Sequence, residues 1–139
     1  MAAFNKFQSF SEAMPEKVHN LGADVLKVML TNTAPVNTNT VKANLTEISS
    51  GNGYTAGGTA PTISSSTQTG GTYKLVLGDV VFTASGGSIG PFRYAVLYND
   101  SATNKELIGW WDYGSSITLA SGETFTIDFD ATTGVLTLA

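Results

Sequence analysis

The chain has no cysteine, one arginine and one histidine in 139 residues, and charged side chains make up only 13 % of it. Without cysteine there is no disulfide, no thiolate zinc site and no thiol nucleophile. With a net charge of −4, the chain lacks the basic footprint of a nucleic-acid binder or of a protein held on anionic lipid. Long apolar runs are missing as well. No segment approaches the roughly 18 apolar residues of a membrane-crossing helix, and the opening MAAFNKFQSF lacks the apolar core of a signal peptide. These absences predict no nucleic-acid partner, no membrane partner and synthesis in the cytoplasm.

What is present is hydroxyl and β-forming side chains: 19 Thr and 13 Ser accompany a 42 % hydrophobic fraction. A chain of this length can bury a core without staples, so residues 1–139 are expected to form a single β domain. From Thr62 onward, TISSSTQT, TYKLVL, DVVFTA, PFRYAVLY, ELIGWWDY, SITL, ETFTIDF and GVLTL are separated by glycine-rich turns. Many short strands with frequent turn signals predict a mainly β fold, a β-sandwich or jelly roll of about eight strands. Phe125, Ile127 and Phe129 alternate with polar residues, which assigns them to the core face of one strand.

Ahead of these strands, Phe4, Phe7, Phe10, Met14, Val18 and Leu21 recur every three or four residues. That spacing predicts one N-terminal amphipathic helix over 1–21, kinked or split at Pro15. VLKVML (25–30) then reads as a buried strand. Residues 31–61 are a long Gly/Thr/Asn-rich connection, in which Val41, Leu45 and Ile48 suit one docked helical turn. Tyr54, amid SGNGYTAGG, is either tucked into a groove or offered to a ligand or neighbour.

The only two tryptophans stand side by side in GWWDYG, residues 109–114. On a strand they point to opposite faces, so one enters a core and the other needs separate cover. PFRYAVLY and ELIGWWDY are apolar on both faces, which predicts a pair in the middle of the fold. Pairing residues whose numbers sum to 205 sets Ala95 opposite Trp110, Tyr94 opposite Trp111 and Arg93 opposite Asp112 as a structural ion pair. Trp111 then joins Phe92, Tyr94 and Val96 in the core. Trp110 lies on the other face, to be covered by the Phe-rich helix or by a second subunit. The candidate contact residues are therefore Phe4, Phe7, Phe10, Tyr54, Trp110 and Tyr113.

No pattern of catalytic or metal-binding residues stands out. His19 has no partner that sequence alone can name. Asp128-Phe-Asp130 resembles the start of a calcium loop but lacks its third acid, its glycine and its closing glutamate. Glu106 with Asp112, or Glu123 with Asp128, are acid pairs whose separation in space decides whether they matter. SGNGYTAGG and ASGGSIGP lack the Lys and Ser/Thr of a phosphate loop. No catalytic, cofactor or metal residue is assigned, and no cofactor is expected.

Taken together, KVHNLGADVLKVMLTNTAP, LTEISSGNGYTAGG, IGPFRYAVLYNDSATNKELIGWWDYGSSITL and GETFTIDFDATTGVLTL resemble a family of small virion proteins of tailed bacteriophages, similar to capsid cement or decoration proteins. The resemblance spans nearly the whole chain and is most specific around RYAVLYND and GWWDYGSS. It implies a sandwich or jelly-roll fold, no enzymatic activity and synthesis in the host bacterial cytoplasm. It also implies a place on the capsid surface of the virion, with the major capsid protein and further copies of the chain, as homodimer or homotrimer, for partners. It supplies no catalytic residues. The competing expectation is a receptor- or carbohydrate-binding module of the tail or fibre, with Trp110, Tyr54 or Tyr113 stacking on sugars and Asp112 or Asn99 bonding their hydroxyls.

Overall fold

A computed structural model describes residues 2–139. The chain is mainly β, with nine strands among the described residues: β1 (Asn5–Lys6), β2 (Leu26–Thr31), β3 (Ile63–Thr69), β4 (Thr72–Leu77), β5 (Val80–Thr83), β6 (Ile89–Asn99), β7 (Leu107–Leu119), β8 (Thr124–Ile127) and β9 (Leu136–Leu138). They form three antiparallel sheets, ordered β1-β7-β6-β2, β3-β4-β9 and β5-β8.

The long β6–β7 hairpin is the centre of the four-stranded sheet, and both of its faces are covered. On one face, Val28, Leu30, Ala95, Leu97 and Ile108 belong to a cluster that also takes in Leu75 and Leu77 of β4, Val80 and Phe82 of β5, and Phe129 and Val135 beyond β8. On the other face, Met29, Val96, Tyr98 and Leu107 meet Phe7 and Leu45. Each large apolar side chain so enclosed contributes about 2 kcal/mol from water exclusion. The two-sided apolarity of PFRYAVLY and ELIGWWDY thus has its cover on both sides.

The expected helix over 1–21 is replaced by one helical turn, α1 (Phe10–Ala13). Asn5 and Lys6 instead pair with Trp110 and Gly109 as an edge strand. In that extended segment Phe4 and Phe7 leave on opposite faces, where a helix would have stacked them. Ring packing on the two tryptophans outweighs the weak helix propensity of a Phe-rich segment. Downstream, Lys17 adopts a positive φ of 68°, which together with Pro15 prevents helix propagation.

The β6–β7 register also departs from expectation. Tyr94 faces Asp112, Ala95 faces Trp111 and Val96 faces Trp110, one residue away from the sum-205 pairing, with irregularities between Phe92 and Tyr94 and between Leu97 and Tyr98. A slip of one residue exchanges faces. Trp111 therefore shares its face with Ala95 and Leu97, whereas Val96 lies on the face of Trp110. Tyr94 is half-buried and outside both clusters; Phe92 regains the Trp111 side through the irregularity beside it.

Residues 31–61 run back over β2. Thr59 bridges to Val28 and Glu47 to Thr31, while Val41 bridges to Glu106 at the far hairpin end. The docked turn is a 3-10 turn at Lys42–Asn44, followed by buried Leu45. Gly58, at φ +84°, brings its backbone onto Val28, where a Cβ would collide with the Val28 carbonyl. That close approach requires glycine.

Candidate functional site

The GWWDYG stretch organises the surface that stands out. Gly109 has no side chain where the Phe4 ring lies; a Cβ there would overlap the ring. Phe4 consequently packs on Trp111, with ring centroids 5.3 Å apart, and Phe7 on Trp110, at 4.6 Å. The question of cover is answered by one short arm that straddles β7. Trp110 remains half-buried and borders a shallow groove with Pro35, Val36 and Asn37.

On the Trp111 face, the packing between β7 and the segment from β8 to Val135 is incomplete. A cleft of about 560 Å³ remains, lined by Phe4, Trp111, Tyr113, Phe125 and Phe129 among others. The rings form two groups: Trp111, packed on Phe4, meets Phe129 edge-on at 5.5 Å, while Phe125 meets Tyr113 at 5.5 Å and Phe92 at 5.0 Å. Such tilted contacts are the favoured aromatic geometry. Tyr113 is 54 % exposed, so its ring is available to a partner. The two walls share a backbone property. β1 covers β7 only at Gly109 and Trp110, and β8 pairs only with β5.

Charges line the rim of the cleft. Arg93 donates Nε and Nη2 to the two carboxylate oxygens of Asp112, at 2.8 and 3.1 Å. This bidentate pair forms even though the two residues are not directly opposite. The guanidinium holds the Asp112 carboxyl below its ordinary range, helped by the Gly114 N–H. Asp130 is lowered in turn by the N–H groups of Thr133 and Thr132. Its Oδ1 caps the turn at Thr132 and Thr133. Asp128 stands exposed at the same rim.

Three candidate contact residues are withdrawn by burial. Phe7 is 0 %, Phe10 7 % and Tyr54 2 % exposed. Phe7 is consumed by Trp110, and Phe10 enters the main core beside His19. Tyr54 takes the tucked alternative: its hydroxyl donates to Glu47 Oε2 at 2.6 Å and accepts from the Leu30 N–H at 3.0 Å, while its ring packs on Phe82. Glu47 also accepts from the Gly57 N–H and pairs with Lys42. Burial, reinforced by the bond to Glu47, pushes the Tyr54 hydroxyl far above its ordinary pKa. The contact residues left at the surface are Phe4, Trp110 and Tyr113, of which the cleft unites Phe4 and Tyr113.

Phe129 is buried, as a core residue should be, but Phe125 and Ile127 are only half-buried because the space beside them is unfilled. Sequence reasoning placed them in the core because alternation reports the direction of a side chain and not whether anything fills the space it points to. The place of Arg93 and Asp128 at an aromatic recess had no signal beyond the expected pairing of Arg93 with Asp112, the residue before Tyr113, and the adjacency of Asp128 to Phe129.

His19 belongs elsewhere. It is 5 % exposed, with Nδ1 accepting from Asn99 Nδ2 at 2.9 Å; Asn99 also donates to Asp24 at 2.7 Å. Burial lowers its pKa, against the opposing charges of Glu106 and Asp24. Glu106 thus lies beside His19 while Asp112 pairs with Arg93, so these two acids do not share a cleft. Asn99 is fully buried and its amide is engaged, which withdraws it as a sugar ligand. Among the described residues no group of three or more His, Cys, Asp or Glu is placed to hold a metal ion, and no helix is long and apolar enough to cross a membrane.

In comparison with known proteins, no family model, no curated sequence and no solved structure matches the chain.

Proposed function

We propose that the protein is a non-enzymatic structural component of a tailed-phage virion, a cement or decoration protein that binds the outside of the capsid and stabilises contacts between capsomers. The observation that carries this reading is the open aromatic cleft between β7 and β8. An apolar recess of this size, set in a surface otherwise rich in Thr and Ser, suits a permanent partner that supplies the missing packing. The partner is taken from the resemblance of four segments, including GWWDYGSS itself, to virion proteins. On this reading the four-stranded sheet and the two smaller sheets are the layers of one sandwich of the jelly-roll kind, and the major capsid protein docks at the cleft.

The test is co-sedimentation of the purified protein with empty capsids, followed by heating of the decorated particles. The wild-type protein is expected to co-sediment and to raise the temperature at which capsids rupture. Tyr113→Ala, which alters an exposed ring, is expected to keep the fold and lose most of the binding. Capsids equally robust without the protein would refute the reading.

The exposed face of Tyr113 beside Trp111 also favours a second reading, a receptor- or carbohydrate-binding module in which those rings stack on a sugar and Asp128 accepts its hydroxyls. Binding on a glycan array that Tyr113→Ala abolishes, with no capsid association, would select it.

A further inference from the structure

β3 is the outer strand of its three-stranded sheet and bonds to β4 on one side only. Among the described residues, no backbone hydrogen bond or bridge reaches its other side. Proteins usually protect so long an edge with lysine, proline or inward charge. Here the protection is a single irregularity between Ile63 and Ser65, and no charged residue occurs between Glu47 and Lys74. Lys74, the nearest charge and the β4 partner of Thr67, is turned away to donate to the Thr132 carbonyl at 2.8 Å.

The chemistry of the edge selects its partner. Ser65, Ser66, Thr67, Gln68 and Thr69 each carry a group that both donates and accepts, so the segment is complementary to itself. The other open edges offer less. The uncovered part of β7 begins at Trp111 and is interrupted at Gly114, whose φ is 105°. β8 lies between Glu123 and Asp128, so the antiparallel edge of a second copy would set acid against acid. β5 has four residues, and the backbone of Gly53 lies against its Thr83 carbonyl. β9 is uncharged but has only three residues to offer.

We propose that β3 is the self-association edge of this protein. Two copies pair their β3 strands antiparallel about a two-fold axis, joining two three-stranded sheets into one continuous sheet. The inference does not rest on the virion reading, since a chain that binds no capsid would still dimerise through β3.

The absence of cysteine provides a direct test. Thr67→Cys places the only thiol of the chain at the centre of the edge, and Thr126→Cys on exposed β8 serves as the control. Under mild oxidation, Thr67→Cys is expected to form a covalent dimer at least ~10-fold faster than the control, because pairing holds the two thiols at high effective concentration. In parallel, sedimentation of the wild-type chain should show a dimer that grows with concentration. The Ser65→Lys/Thr67→Lys variant should remain monomeric with an unchanged far-UV circular dichroism spectrum. A wild-type chain that stays monomeric at all concentrations overturns the proposal, as do equal cross-linking rates at the two sites. If the lysine variant misfolds, the near-isosteric cysteine pair still decides.

Discussion

Replacing Tyr54 with phenylalanine removes one oxygen atom from the centre of the 31–61 connection and unties two buried bonds. The hydroxyl donates to the Glu47 carboxylate at 2.6 Å and accepts from the Leu30 N–H at 3.0 Å in strand β2. A hydrogen bond to a charged group is worth about 1.5–3 kcal/mol, and a buried N–H left without a partner costs about 1–3 kcal/mol. Glu47 keeps the Gly57 N–H and Lys42, which places the charged bond at the low end of that range. The expected loss is about 3 kcal/mol, or a fall in Tm of about 10 °C for a chain of this size. Urea unfolding followed by circular dichroism measures the first number and a thermal melt the second. Tyr113→Phe, at an exposed ring, should change neither. A Tyr54→Phe variant within ~0.5 kcal/mol of wild type would refute the reasoning, because it would mean that solvent reaches the Leu30 N–H and the connection is not held through this residue.

Three further outcomes follow from the same physics. His19 is held below its ordinary 6.5 by burial, so between pH 6.5 and its folded value the unfolded chain takes up a proton that the folded chain refuses. Stability is therefore fully present above pH 6.5 and declines below it; His19→Gln should flatten that decline in melts from pH 7 to about 5, where the lowered Asp112 and Asp130 are still ionised. Gly58→Ala should cost more than about 2 kcal/mol and loosen the connection to proteolysis, because the new Cβ meets the Val28 carbonyl. Gly114→Ala, also at positive φ but with open space around it, should cost about 1 kcal/mol. Trp110→Ala should cost about 2 kcal/mol in urea melts by stripping Phe7 of its partner, whereas Tyr113→Ala should stay within ~0.5 kcal/mol.

The β character of the fold was readable because hydroxyl and β-branched residues alternate with apolar ones over most of the chain, and because glycine marks the turns. The pairing of PFRYAVLY with ELIGWWDY was readable too, and so was the contact of Arg93 with Asp112. The register was not, since the irregularities in β6 and β7 shift the alignment in steps that no periodicity records. Nor was the fate of the N-terminal phenylalanines: a spacing of three puts side chains on one stripe of a helix and on opposite faces of a strand. What decided between them was a pair of tryptophans a hundred residues away, with Gly109 beside them to make room. The cleft was least visible of all, because an unfilled space leaves no mark on the residues that border it.

The straddling arm has a spectroscopic consequence. Phe4 and Phe7 shield the two indoles from opposite faces of one strand, and the chain has no other tryptophan. Intrinsic fluorescence is therefore a reporter of the seating of the arm on β7, alongside the packing of Trp111 on Phe129, before it is a reporter of unfolding. A red shift that precedes the loss of β-sheet signal would mark the arm lifting away while the sheets persist.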